Sequence, residues 1–198
     1  MEKEIFITRQ QMDLLRGQIQ PHFIFNSLSV IRALAKHDSK KAVDCIDSFS
    51  EYLRAHIGSF QENEMIPFEQ ELDNTQAFLN LILADTEKYK IEVLYDLKCM
   101  NFSIPALTLE PIVENSIKHG IGSQGGTITI STWETDTDIH IRVTDNGSPQ
   151  GGHTDEETKR LGVGLDNTRK RLQLACKGKL DCNFSDSGAV VTITIPKQ

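Results

Sequence analysis

The sequence predicts an α+β protein: a helical hairpin at the N-terminus, then an α/β sandwich with helices on one face of a sheet. Three observations lead there. The first 60 residues hold only two glycines, Gly17 and Gly58, and one proline, Pro21, which is helical territory. From about residue 90 the apolar period drops to two, the strand period. Helical patterns then interrupt the strands at roughly 106–120 and 164–176. The change of character near residue 62 divides the chain into 1–62 and 63–198.

The elements follow in order. Ile5, Met12, Ile19, Asn26 and Ala33 are spaced seven apart, with Leu15 and His22 on the neighbouring seam. This partial heptad predicts the first helix. Pro21 inside it removes one hydrogen bond and presses on the carbonyl of Gly17, so a kink is expected there. Asp38-Ser39 offers two side chains able to cap a second helix, which carries Val43, Ile46, Phe49, Leu53 and Ile57 and stops at Gly58. A lone hairpin cannot cover its own apolar stripe, so a four-helix dimer completes it. Pro67 fits the first turn of a third helix presenting Leu72, Leu79 and Ile82. Alternation marks strands at Ile91–Leu97, at Ile128 and Ile130, at Ile139, Ile141 and Val143, and at Val191, Ile193 and Ile195 after the turn Asp186-Ser187-Gly188. Residues 146–162, with four glycines and a proline, read as a mobile loop.

Composition excludes several roles. The 21 Lys and Arg against 28 Asp and Glu give a net charge of −7. Such a chain has no global attraction for nucleic acid or an anionic membrane, so any anion must bind at a local site. No apolar run approaches the roughly 20 residues that cross a bilayer. The four cysteines form no CxxC pair and read as reduced thiols. His37, His56, His140 and His153 lack ligand spacing and read as surface or structural residues. Trp133 is expected to pack on the sheet or at its edge.

Four segments carry chemistry. Gln18 to Asn26 places His22 directly after a helix-kinking proline, and a neutral imidazole is a nucleophile near pH 7. On the helix from Leu109 to Gly120, Ile112, Val113 and Ile117 share the sheet-facing side. Glu114, Asn115, Lys118 and His119 share the other, a set suited to a magnesium triphosphate. Asp145-Asn146-Gly147 ends a strand, where the carboxylate can accept from an exocyclic amine and the glycine lets the backbone turn against a flat ring. Gly162-Val163-Gly164-Leu165 opens a helix, bringing bare N–H groups toward a phosphate.

In order and spacing these segments resemble sensor histidine kinases of the LytS-like group, from about residue 10 to 196. Gln18-Ile19-Gln20-Pro21-His22-Phe23-Ile24-Phe25-Asn26 is similar to that group's phosphoacceptor box. Glu114-Asn115 with Lys118-His119-Gly120 resembles the N box, Asp145-Asn146-Gly147 the first glycine box and Gly162-Val163-Gly164-Leu165 the second. Arg169 and Arg171 follow in the closing helix. The resemblance implies the ATP-binding sandwich shared by gyrase, Hsp90 and histidine kinases, with a mixed sheet. It implies that His22 accepts the γ-phosphoryl group of ATP and that Asn115 binds Mg²⁺. It implies that Asp145 holds the adenine amine, with Gly147 allowing the turn. Lys118, His119, Gly162, Gly164 and Leu165 then lie around the nucleotide, and Glu114 is the candidate base. Loop 148–161 becomes the ATP lid. The implied partners are a response regulator receiver domain and a second copy through the hairpin. The implied setting is the cytoplasmic portion of a protein anchored by an upstream membrane segment.

Three positions depart from the wider pattern. Phe23 stands where many histidine kinases carry an acid, Pro111 where the superfamily often has a second Asn, and Pro149 where a glycine is familiar. The first two fit the subgroup. Pro149, by fixing φ and removing an N–H, motivates an alternative: a catalytically weak or silent dimeric module of the same fold. A related ATPase or serine kinase is a further alternative, in which His22 is dispensable.

Overall fold

The computed structural model describes residues 21–58, 65–85, 90–121, 125–147, 163–185 and 187–197. Helices α1 (Pro21–His37) and α2 (Ser39–Gly58) form the hairpin. The heptad positions from Ile5 to Ile19, and the kink expected against Gly17, lie outside the described residues. Asp38 caps α2: the Lys41 N–H donates to its Oδ1 at 3.0 Å.

The apolar stripe expected on α2 is divided. Ala42, Cys45, Ser48, Tyr52 and His56 are buried, and Phe49 and Leu53 are half-buried. Val43, Ile46 and Ile57 lie open, Val43 at 55 % exposure. The helix is apolar on two sides, and α3 (Phe68–Leu83) covers one of them. His56 is therefore interior and not a surface residue. Pro67 closes the short strand β1 (Met65–Pro67) one residue ahead of α3, and does not sit inside its first turn. Aromatic rings dock the hairpin. The Phe23 ring of α1 lies 4.6 Å from Tyr52 of α2 and 5.2 Å from Phe78 of α3. Offset aromatic contacts of this kind add about 1 kcal/mol each beyond area burial.

Five strands build the main sheet in the order β2-β4-β5-β7-β6: β2 (Ile91–Leu97), β4 (Gly126–Glu134), β5 (Asp138–Asp145), β6 (Lys179–Ser185) and β7 (Gly188–Pro196). Strands β2 and β4 are parallel and the other pairs antiparallel, so the sheet is mixed as expected. Among the described residues, strand β3 (Ser103–Pro105) pairs only with β1. The period-two pattern sends Ile128, Ile130, Ile141, Val143, Val191 and Ile193 to the inner, helix-covered face. The other face carries Thr129, Ser131, Arg142 and Thr192, with Trp133 stacked on His140 and under Arg142.

The expected helix over 106–120 begins later, at α4 (Glu110–Asn115), and widens into a π-helical turn over Ser116–Ile121. Residues 106–109 form a turn in which Leu107 takes φ +57°. Helix α5 (Val163–Cys176) closes the layer. No helix of the described residues is long and apolar enough to cross a membrane.

Candidate nucleotide site

The site forms where β5 ends. Asp145 is the last residue of the strand and belongs to its inner face, so its side chain is carried into the molecule. Asn146 seals the strand end: the Thr127 N–H donates to its Oδ1 at 2.7 Å. Beyond it the backbone runs so close to the π-helical turn that a Cβ on Gly147 would sit 2.1 Å from the Gly120 carbonyl. Gly188, at φ +126°, opens β7 against the Asp145 carbonyl oxygen, where a Cβ would stand at 1.9 Å. A left-handed φ with no room for a Cβ demands glycine. A Cβ on Gly120 would meet the Asp145 carboxylate itself at 2.5 Å.

Three backbone segments therefore wall in one carboxylate. The N–H groups of Gly147 and Ala189 both donate to Asp145 Oδ1 at 3.2 Å. Oδ2 is buried and has no hydrogen-bond partner among the described residues. An unpaired carboxylate oxygen held in place costs free energy until a donor arrives. Asp145 lines a small open cleft, with Ile112 and Val191 among its apolar walls and Asn115, Ser116 and His119 on its polar side. A small cleft of apolar walls with few placed polar groups suits a flat heterocycle bearing an N–H donor.

Helix α4, which brings Ile112 and Asn115 to the pocket, is held at its N-terminal end by long-range contacts. The fully buried Glu71 of α3 accepts N–H groups from Leu107 (2.8 Å), Thr108 (2.6 Å) and Leu109 (2.7 Å). Burial pushes the Glu71 carboxyl up to about 7, although the three N–H bonds pull it back. Arg171 of α5 donates to the Leu107 carbonyl. His56 of α2 reaches Glu110 Oε2 with its Nε2 at 3.2 Å.

The structure gathers Asn115, His119, Asp145 and Gly147 around one pocket. Lys118 and Glu114 pair with each other at 2.5 Å, on the helix bearing Asn115, and neither lines it. Gly164 lies in the first turn of α5 beside Pro111 of α4. Leu165 is only 2 % exposed and packs in the core, so its side chain supports α5 and does not face the pocket. Gly162 and loop 148–161 lie outside the described residues. His22 is exposed in the first turn of α1, its ring nitrogens 3.2 and 3.3 Å from Asn26 Nδ2. It does not line the pocket. Ser116, Ala189, Gly188 and Glu71 were not legible as site residues. For Glu71 the available signal was its phase: it shares the buried side of α3 with Phe68, Thr75 and Phe78.

A mixed five-stranded sheet with helices on one face, and a strand-end carboxylate in a glycine cradle, defines the ATP-binding fold class of gyrase, Hsp90 and histidine kinases. Residues 10–88 match the histidine kinase family model, and residues 105–198 match that of the histidine kinase-, DNA gyrase B- and HSP90-like ATPases. The chain belongs to the sensor histidine kinases of the LytS-like group. It is 31% identical to the sensor protein LytS of Oceanobacillus iheyensis over 94% of this chain and 34% of that protein. It is also 31% identical to the YwpD protein of Bacillus subtilis, over 95% of this chain and 70% of that one. It thus spans about a third of the length of the LytS relative. Among solved structures, histidine kinase ThkA in complex with response regulator protein TrrA shares the fold: TM-score 0.53 and 15% identity, over 96% of this chain and 64% of that one.

Proposed function

We propose that this chain is the catalytic portion of a two-component sensor kinase that phosphorylates His22 from ATP and passes the group to an aspartate of a response regulator. The observation that carries this reading is the Asp145 carboxylate, one oxygen satisfied twice and the other unpaired, in a pocket shared with Asn115. Adenine supplies the missing donor through its exocyclic amine. The Asn115 amide oxygen is a fitting Mg²⁺ ligand, because Mg²⁺ is commonly held by one or two protein oxygens together with phosphates. Bound there, the ion would neutralise phosphate charge. Lys118 and His119 would lie near the phosphates, which Gly162 and Gly164 would line, Gly164 from the first turn of α5.

In the reaction a ring nitrogen of His22 bonds to the γ-phosphorus, the bond to the bridging oxygen breaks, ADP leaves and the imidazole proton is released. Glu114 is the candidate to take that proton. Such transfer depends mainly on positioning and charge neutralisation. His22 is open to solvent, as an acceptor serving both ATP and a receiver domain must be.

We place the boundary between hairpin and catalytic domain near residue 62. The uncovered Val43, Ile46 and Ile57 of α2, with Phe25 and Leu28 of α1, support a homodimer through a four-helix bundle. Membrane attachment, on this reading, belongs to a segment outside this chain. The complex that ThkA forms with TrrA supports a response regulator as partner.

Incubation with γ-labelled ATP and Mg²⁺ tests the proposal. The expected result is acid-labile label on the wild type and none on His22→Gln. Label persisting on His22→Gln, or an acid-stable product, overturns the assignment.

A further inference from the structure

Among the described residues, a buried polar contact joins the hairpin to the helix that lines the nucleotide pocket. His56 sits on the interior side of α2 at 4 % exposure, and its partner Glu110, at 14 %, is the first residue of α4. The Nδ1–H of His56 donates to the Tyr52 carbonyl at 2.9 Å, which fixes the ring and aims Nε2 at the Glu110 carboxylate. Helix α4 is only six residues long, so a shift at Glu110 is carried within about 8 Å to Asn115 at its other end. Ile112 and Asn115 from this helix, and Ser116 just after it, line the pocket. On the other side, Tyr52 packs against His56 at 4.1 Å and against Phe23 at 4.6 Å. Phe23 follows His22 in sequence.

We propose that His56 is a positioning residue that couples hairpin docking to nucleotide occupancy, by holding Glu110 and with it the helix that bears Asn115. The proposal rests on the reading of the pocket as a nucleotide site. The physical reason for coupling is the cost of breaking a buried pair. Separating the partners in place strands a charge in a dry site, so the contact is either made or given up as the hairpin lifts away. Contacts with two discrete arrangements are what transmit binding energy between sites. By reciprocity, whatever nucleotide does to α4 changes hairpin docking by the same factor. Glu71 and Arg171 hold the turn before α4 from within the catalytic domain. His56 is the contact in this set that comes from the hairpin.

The pair also makes the coupling sensitive to pH. Burial alone would push the imidazole down. The hydrogen bond and charge of Glu110, the Tyr52 carbonyl and the charge of Glu71 outweigh it and hold His56 above its ordinary value. Among the described residues, the ionisable groups that face it include Tyr52 on its own helix, Glu71 on α3 and Glu110 on α4, with Arg171 of α5 beside the two acids. A group whose folded value is raised gives its full stabilisation below the unfolded value and loses it as pH rises through the folded one. The clasp is therefore firm below about pH 6.5 and slackens as pH climbs above that.

The test uses the whole chain with ADP and Mg²⁺ as probe. Calorimetry gives the ADP affinity of wild type, Glu110→Gln, His56→Phe and the double variant. Hydrogen exchange reads amides 52–57 with and without ADP. The expected result is ADP binding weakened about tenfold in each single variant and no further in the double, within the usual range of coupling between sites. ADP alters exchange at 52–57 in wild type and not in Glu110→Gln, and the wild-type response fades with rising pH. If His56→Phe does not fold, Glu110→Gln carries the test alone, because it removes the buried charge that holds His56 while keeping the size of the side chain. Unchanged affinity in Glu110→Gln, or exchange at 52–57 indifferent to bound ADP, overturns the coupling and leaves the functional reading standing. Absence of ADP binding by the wild type overturns both.

Discussion

Replacing Asp145 by asparagine reverses one atom of the pocket and leaves the cradle around it standing. Two backbone donors, Gly147 N–H and Ala189 N–H, point at Oδ1 from 3.2 Å. An asparagine must keep its carbonyl oxygen there, since the opposite orientation sets an amide NH₂ against two N–H groups. Its NH₂ then occupies the place of Oδ2, the buried oxygen that has no partner. The atom available to ligand changes from acceptor to donor. For adenine the loss is a hydrogen bond to a charged acceptor, about 2 kcal/mol, plus at least about 1 kcal/mol for two opposed donors left unsatisfied. Together these predict roughly a hundredfold weaker ATP or ADP binding. Hypoxanthine presents a carbonyl where adenine presents an amine, so inosine nucleotides are expected to bind wild type poorly and Asp145→Asn better. Calorimetry with both nucleotides on both proteins is the assay, with circular dichroism to establish that the fold is kept. The reasoning fails if Asp145→Asn binds ATP within about threefold of wild type, or if wild type does not distinguish adenine from hypoxanthine.

Further predictions come from the same geometry. Gly147→Ala forces a methyl into the Gly120 backbone, which cannot swing aside as a side chain would. It should cost about 1–3 kcal/mol in urea denaturation and abolish detectable ADP binding. A variant of unchanged stability would contradict the close approach. Glu71, raised by burial to about 7, stabilises the fold below its unfolded value of 4.5 and loses that contribution as pH rises through 7. Wild-type stability should fall across this window by a component on the order of 3 kcal/mol that Glu71→Gln lacks, lowering its melting temperature accordingly. Parallel melting curves of the two proteins from pH 5 to 8 check this.

Much of the site was legible because its parts are local. Asn115 on a helix and Asp145-Asn146-Gly147 at a strand end, which meet at one pocket, each declare themselves within a few residues. Leu165 shows the limit of such reading: its motif points to the nucleotide, while its side chain is core. His56 shows the reverse. Spacing gave it no role, yet α3 and α4 close over it.

By itself the sequence determined the helical hairpin, the Asp38-Ser39 site that caps its second helix, the period-two strands and the residue types able to meet a nucleotide. These depend on periodicity and on neighbours a turn or less away. Only the tertiary structure decided which side of α2 is interior and which oxygen of Asp145 is left unpaired. It also decided which acid steadies the turn before α4. Glu71 and Leu107 are 36 positions apart, Asp145 and Ala189 44. No local pattern encodes such meetings, because they exist only once separate elements exclude water from a common core.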